Sequence, residues 1–440
     1  MKERPQAEGA QRAASEARSE GAARAESARP AERSRSDRFL VISSDCHAGL
    51  PPEKYRDYLD PKYRAAFDQA LPIQIQMTRA AEKQFLVADI NAEWRRGRER
   101  ALSGAWDHDA RIEVLDGDGI AGEVIFPDGI TEMNAPPFGA ALGLPTENVV
   151  PELQWAGARS HNRWLAELVS MAPERRVGVA IVPALWDVDE AVREVRWARA
   201  NGLGSIMIPV MWGKHAPYHH PKYDALWAVC QELDVVINFH SGPSPMEDFF
   251  GPPPIGGTPL SPGAMGIYVT EVVWWNVRPL TFMIWGGAFE RFPRLKVAIT
   301  EGTSVWAPEF LRLLDQRYEE THYSQKLGDY RSHLKSKPSE YFARNVLIGA
   351  SCMARREAEL RHEIGIANLG WGSDYPHPEG SWPVTREQQL ATFRGLPEPE
   401  IAQMLGGNAA RFYGFDTEKL APLAARIGPE KTSFLVKEIA

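Results

Sequence analysis

The chain has 440 residues, 44% of them hydrophobic, with 58 acidic against 50 basic side chains and a formal net charge of −8. That balance leaves no basic footprint for nucleic acid, and no run of about 20 apolar residues offers a membrane span. Three cysteines (Cys46, Cys230, Cys352), odd in number and widely separated, form no disulfide framework, so a reducing cytoplasm is the expected compartment. This length holds one large domain or two to three average ones.

Residues 1–36 are almost wholly Ala, Arg, Glu, Ser and Gly, with no aromatic residue and no Ile, Leu or Val. Such a stretch cannot offset its ordering entropy by burial, so a disordered tail is expected. It lacks the apolar stretch of a secretory signal, and its interspersed glutamates do not suit a transit peptide. The folded domain is expected over 37–420, with 421–440 as a C-terminal extension.

From Phe39 onward, short β-branched runs alternate with helical patterns. Strands are expected at Phe39–Ser44, Gly122–Phe126, Val177–Val182, Ser205–Val210, Val235–Phe239, Lys296–Thr300, Val346–Gly349 and Asn368–Gly372. Between them, Asp187–Ala200 carries Val188, Ala191, Val192, Val195 and Ala198 at helical spacing and stops at Asn201-Gly202. Pro221–Leu233, Thr303–Tyr318 and Ala354–Ile364 read likewise. Alternating strands and helices imply parallel strands with right-handed crossovers. Eight such units predict an α/β (β/α)8 TIM barrel, with an open doubly wound sheet as the alternative. Three insertions interrupt the pattern: a charged, mostly helical cap over about 50–110, a Pro-, Gly- and Asn-rich stretch at 128–155, and a lid loop over about 243–266. Each follows a strand C-terminus, the face where barrels carry their active sites, so they are expected to wall a substrate site.

The chemistry-bearing residues share one register. Asp45 and His47 end the first run, His240 the fifth, Glu301 the sixth and Asp374 the eighth. Residues two apart in a strand face the same side, so Asp45 and His47 can both face the barrel axis while Cys46 faces away. Each alone has an ordinary explanation, as a core histidine or as an acid that forms a turn or caps a helix. Together, a barrel would gather them on one face. Mixed imidazole and carboxylate ligands suit one divalent transition metal, zinc first, with manganese and iron as alternatives. Such a metal activates water, and a nearby carboxylate, Asp374 or Glu301, can take the proton. Trp212, His215 and His219, in the loop after the fourth run, and His377 are candidate substrate contacts. The aromatic stretch around Trp274-Trp275 reads as core and subunit interface.

Several segments, in order, resemble the amidohydrolase-related family, the superfamily branch that contains aminocarboxymuconate semialdehyde decarboxylase and the nonoxidative aromatic acid decarboxylases. They are Val41-Ile42-Ser43-Ser44-Asp45-Cys46-His47, Arg176-Val177-Gly178, Tyr223-Asp224-Ala225-Leu226-Trp227, Asn238-Phe239-His240-Ser241-Gly242, Arg291-Phe292-Pro293-Arg294-Leu295-Lys296, Gly372-Ser373-Asp374-Tyr375-Pro376-His377 and Gly407-Asn408-Ala409-Ala410-Arg411-Phe412-Tyr413. The resemblance implies one divalent metal held by Asp45, His47, His240 and Asp374, and a homodimer or homotetramer acting on a small molecule. Two positions depart from the family pattern. Asp45 stands where His or Glu is frequent, and Glu301 stands where a catalytic histidine is common.

A glutamate with an ordinary pKa serves as a base unless burial raises it. Its fixed charge beside the metal should disfavour a substrate carboxylate and suit activation of water. Hydrolysis of an amide, ester or lactone-like bond is therefore the expected reaction, with Asp374, Glu301 and His240 as catalytic residues. Nonoxidative decarboxylation of an aromatic or muconate-like acid is the alternative, and a metal-free binding protein on the same barrel the second.

Overall fold

Along each strand the apolar side chains alternate between two destinations, and that alternation builds the barrel. The computed structural model describes residues 37–85, 87–128, 134–142, 150–241, 263–320 and 326–435. The tail expected over 1–36, parts of the 128–155 stretch and most of the lid expected over 243–266 lie outside the described residues.

Eight strands form one sheet: β1 (Ile42–Ala48), β2 (Gly122–Pro127), β3 (Arg176–Ile181), β4 (Ser205–Met207), β5 (Val236–His240), β6 (Val297–Thr300), β7 (Val346–Ser351) and β8 (Leu369–Gly372). Each pairs in parallel with the next, in chain order. The seam between β1 and β8 closes largely through residues just past β8. Asp374 N–H donates to Asp45 O at 2.9 Å, and His47 N–H donates to Tyr375 O at 2.7 Å. The fold is the expected (β/α)8 barrel.

Ile42, Val124, Val179, Ile181, Met207, Val236, Ala298 and Leu347 point inward and pack together, with Ala409 and Tyr413 from the helix Asn408–Tyr413 against them. Their neighbours Val41, Ile125, Ala180, Ile206, Ile237, Ile299 and Ile348 belong to the outer core under the helices. Full burial of one such Ile or Val contributes roughly 1.5–3 kcal/mol. Of the expected helices, Asp187–Ala200 forms as Val188–Ala200 and Pro221–Leu233 as one turn followed by Asp224–Leu233, whereas Thr303–Tyr318 begins only at Ala307 and Ala354–Ile364 is broken at Leu360. The Asp187 side chain accepts from Glu190 N–H and caps Val188–Ala200. At the other end Gly202, at φ +86°, lets Leu203 N–H reach Ala198 O at 2.9 Å.

Two strands differ from expectation for clear reasons. β4 stops at Met207 short of Val210, because Pro209 has no N–H to continue a ladder. β1 starts at Ile42, not Phe39, and runs on through Asp45, Cys46 and His47 to Ala48. Its ladder with β2 slips between Ser43 and Cys46, three steps on β1 against two on β2. This bulge reverses the facing of the strand, so Asp45 and His47 share the inward side with Ile42.

The 50–110 insertion is mostly helical, including Arg64–Phe85 and Ala88–Arg95. It sits on the segment that follows β8: the Trp94 ring meets Trp382 edge-on at 6.0 Å, and Tyr375 Oη donates to Ala101 O. At the C-terminal end, the helix Thr417–Ile427 runs across position 420 and buries Leu420, Ala424 and Ile427. Beyond it, Phe434 packs against Phe39 with ring centroids 5.3 Å apart. The last described residues are thus bound to the entry of β1.

Candidate metal centre

The strand ends bring Asp45, His47, His240, Glu301 and Asp374 together, as their shared register requires. His47 Nε2 lies 3.2 Å from Asp374 Oδ1 and 3.5 Å from Asp45 Oδ1, and His240 Nε2 lies 3.5 Å from the same Asp45 oxygen. The two imidazoles meet edge-on at 4.9 Å. Glu301 Oε2 is 3.1 Å from His240 Nδ1 and accepts a hydrogen bond from Ser241 Oγ.

His47, His240 and Asp45 are each held from behind. His47 Nδ1 is 2.9 Å from Pro127 O, and His240 Nδ1 is 2.9 Å from Ser241 O. A carbonyl accepts only from N–H, so these contacts place a proton on Nδ1 and turn Nε2 inward. Ser351 Oγ donates to Asp45 Oδ2 and leaves Oδ1 to the site. Glu301 and Asp374, past β6 and β8, adopt left-handed backbone at φ +53° and +58°. That conformation costs a non-glycine residue about 1–2 kcal/mol and clusters at functional positions.

Electrostatics separates the carboxylates. Burial works against ionisation of Asp374, but His377 and His47 outweigh it and hold its carboxyl well below the usual range. Burial, reinforced by Asp374 and Asp45 and opposed by His240, pushes Glu301 up to about 7. His240 is opposed by burial but raised to about 9 by Glu301 and Asp45.

The remaining expected residues divide. His377 joins the cluster: its Nδ1 lies 3.0 Å from Asp374 Oδ1, and its ring stacks on His47 at 3.9 Å. Trp212, His215 and His219 instead contact an aromatic group beside the loop after β4. Trp212 packs on Phe282 at 4.5 Å with Arg278 over its ring, His215 meets Trp186 at 4.9 Å, and His219 meets Phe282 at 5.5 Å. Cys46 faces away from the centre as expected, into a pocket with Val114 and Tyr375, where burial raises its thiol far above the usual range.

Two contributors escape the sequence reading. Asp128, fully buried just past β2, lies 3.3 Å from His377 Nε2. The alternation Val124, Phe126, Asp128 is its signal, the same that marks Val236, Asn238 and His240. Arg111 is the second. Fully buried, it donates through Nη1 to His47 O at 2.8 Å and to Gly104 O at 3.0 Å, while its other nitrogens grip Glu123. It lies mid-helix among ordinary charged residues and carries no local signal.

The residues fit a divalent cation. Asp45 Oδ1, His47 Nε2, His240 Nε2 and Asp374 Oδ1 are buried polar atoms without a hydrogen-bond partner. Leaving such groups unsatisfied costs about 1–3 kcal/mol each. Two imidazole nitrogens and two carboxylate oxygens are a donor set for zinc, manganese or iron alike.

Comparison with known proteins agrees with this architecture. The chain is 22% identical over 327 residues to 2-amino-3-carboxymuconate-6-semialdehyde decarboxylase of Dictyostelium discoideum, covering 72% of this chain and 79% of that one. Its fold is similar to that of an amidohydrolase from Mycobacterium avium subsp. paratuberculosis (TM-score 0.63, 20% identity, 86% and 99% of the two chains). It is also similar to 5-carboxyvanillate decarboxylase from Novosphingobium aromaticivorans, solved with manganese (TM-score 0.60, 18% identity, 86% and 97%). The amidohydrolase family model matches residues 44–415. With nearly the whole described barrel inside that match, the chain belongs to the amidohydrolase family.

Proposed function

We propose that this protein is a divalent-cation-dependent nonoxidative decarboxylase of a small aromatic or muconate-like acid. Asp45, His47, His240 and Asp374 hold the cation, and zinc and manganese are the candidates. Bound there, the cation supplies Lewis-acid charge that neutralises and orients an anionic substrate. The observation that carries the reading is the position of Glu301 at the edge of the ligand cluster, its Oε2 3.1 Å from His240 Nδ1 and hydrogen-bonded by Ser241 Oγ. The expectation of hydrolysis rested on a fixed negative charge at this position, and burial weakens that premise by raising the carboxyl to about 7. A protonated Glu301 no longer repels a substrate carboxylate and has a proton to give.

In the proposed reaction the bond from the substrate carbon to its carboxylate breaks and carbon dioxide leaves. The electron pair stays on that carbon, which takes the proton from the Glu301 carboxyl. Ser241 Oγ and His240 steady the resulting carboxylate, and solvent returns the proton. The match to a named decarboxylase along 72% of the chain supports the same reading.

Hydrolysis remains the second reading, favoured by the same residue in its other state: an ionised Glu301 beside the cluster is a base for water. Cation-loaded protein is incubated with hydroxybenzoates and muconate-like acids, and separately with amides, esters and lactones. Carbon dioxide release from the acids supports decarboxylation. Silence there, with turnover of an amide or lactone, replaces it by hydrolysis.

A further inference from the structure

The helix Ala264–Trp285, between β5 and β6, packs one side and leaves the other open. Val277, Leu280, Met283 and Ile284 enter the core, and Asn276 Nδ2 donates to Thr300 O at 2.9 Å, which fixes the helix against the barrel mouth. The open side is a stripe at alternating spacings of four and three: Ile267, Glu271, Trp274, Arg278, Thr281 and Trp285. It runs about 27 Å from end to end. None of the six is buried, and Ile267 and Trp274 are 47% and 50% exposed. A half-exposed tryptophan in line with an isoleucine on a fixed helix marks a contact surface.

The charged members of the stripe are matched to each other. Among the described residues neither meets an opposite charge: Glu271 has no ion pair, and the Arg278 guanidinium lies over the Trp212 and Phe282 rings, 4.8 and 5.5 Å from their centroids, with Met211 Sδ 4.0 Å from its Nη1. Glu271 and Arg278 stand two turns apart with Trp274 between them, too far to pair along one helix. An antiparallel copy of the helix reverses the order. With Trp274 set against Trp274, each Glu271 falls opposite an Arg278, and each Ile267 falls opposite Thr281 and Phe282. At that end the surface offers a cleft of about 290 Å³ lined by His219, Thr281, Phe282, Trp285 and Gly286. The stripe thus complements itself in charge and in shape.

We propose that this face docks a second copy of the chain in a two-fold dimer, with the two helices Ala264–Trp285 antiparallel and the axis at Trp274. The symmetry doubles every contact: two Glu271–Arg278 pairs form across the axis, and two Ile267 side chains enter two clefts. A parallel copy would set Glu271 against Glu271 and Arg278 against Arg278, so charge selects the antiparallel arrangement. Tryptophan at the centre with arginine beside it is the composition of an interface core. The dimer is independent of which reaction the barrel catalyses.

The test is sedimentation of the full chain over a concentration series, wild type beside Glu271→Arg, Arg278→Glu and Trp274→Ala, with circular dichroism as the check on folding. Wild type is expected to sediment as a dimer. Each charge reversal sets like charges opposite each other twice and should weaken the dimer at least about tenfold, as should loss of the central indole. An equimolar mixture of Glu271→Arg and Arg278→Glu should dimerise as wild type does, because both pairs across the axis are again opposite in sign. A monomeric wild type overturns the dimer. A dimer that survives all three substitutions unchanged lies on another face and overturns this one. Charge variants that dissociate alone and stay apart when mixed overturn the antiparallel pairing.

Discussion

His240 Nδ1 lies 3.1 Å from Glu301 Oε2, and the same imidazole turns its Nε2 toward Asp45. One side chain thus joins the proposed cation position to the carboxyl proposed to exchange the proton. The protonation of Glu301 and the electrostatics of the cation are therefore coupled, and pH separates the two candidate reactions.

If Glu301 donates the proton, kcat/KM for carbon dioxide release holds at low pH and falls as pH rises through the Glu301 pKa, about 7 without a cation, because the ionised form has nothing to give. If it is a base for water, the limb inverts and activity is lost as pH falls. A bound cation favours the carboxylate and shifts either limb to lower pH without changing its direction. Glu301→Gln should abolish the limb and reduce kcat by about 10²–10⁴-fold. A rate-versus-pH series on wild type and Glu301→Gln decides it, and an unchanged profile removes Glu301 from the chemistry.

Cation removal should lower thermal stability. A cation that binds only the folded state stabilises by about 4 kcal/mol at a thousandfold excess over Kd, which raises the melting temperature by several degrees. Excess zinc or manganese should raise the melting temperature of wild-type apoprotein, and a chelator should reverse the gain. In His240→Ala and Asp374→Asn the gain should be largely lost. Equal gains in the wild type and both variants would place the cation elsewhere.

Arg111 is a positioning residue that joins the insertion, at Gly104 O, to the ligand strand, at His47 O. Its ion pair with Glu123 is fully buried at 2.7 Å, with Arg176 as a second partner at 3.2 Å. Arg111→Met removes the main counter-charge and leaves Glu123 to Arg176 alone; breaking a buried pair costs about 3–5 kcal/mol, and the remaining partner holds the loss to the lower end of that range. Urea unfolding should show that loss. The double variant Arg111→Met, Glu123→Gln should recover nothing, since it strips the buried Arg176 of its carboxylate as well. A loss below about 1 kcal/mol in the single variant would count against the argument.

The barrel was legible because parallel strands buried on both faces read as apolar runs, and most of the expected runs overlap their strands nearly end to end. The ligands were legible because each polar residue ends such a run: His240 follows Val236-Ile237-Asn238-Phe239 and Glu301 follows Val297-Ala298-Ile299-Thr300. What escaped depends on the partner strand or on distance. The bulge in β1 is a property of its pairing with β2, so the run Phe39–Ser44 gave no warning that the strand continues to Ala48. The grip of Arg111 on His47 spans 64 positions. The pKa of Glu301 is set by burial and by Asp374 and Asp45 across the barrel mouth, which no local pattern encodes.

Gly372 tests how tightly the seam positions the first ligand. A Cβ there would lie 2.7 Å from Asp45 Cβ and 3.2 Å from Asp45 N. Neither neighbour is the flexible end of a side chain, so Gly372→Ala must move β1 and β8 apart at the residue that offers Oδ1 to the cation. Ligand geometry tolerates shifts of only a few tenths of an ångström, so cation affinity should fall at least tenfold, about 1.4 kcal/mol. Gly117→Ala is the contrasting change. Gly117 is an exposed position in the helix His108–Asp118 with nothing within 4 Å of the added methyl. Alanine there should stabilise the fold by up to about 1 kcal/mol through helix propensity and leave affinity alone. Calorimetric titration with Zn2+ or Mn2+, paired with thermal melts, reads both effects. Unchanged affinity in Gly372→Ala would mean that the β1–β8 seam is slack, and that the position of Asp45 is set by Ser351 and the β2 ladder instead.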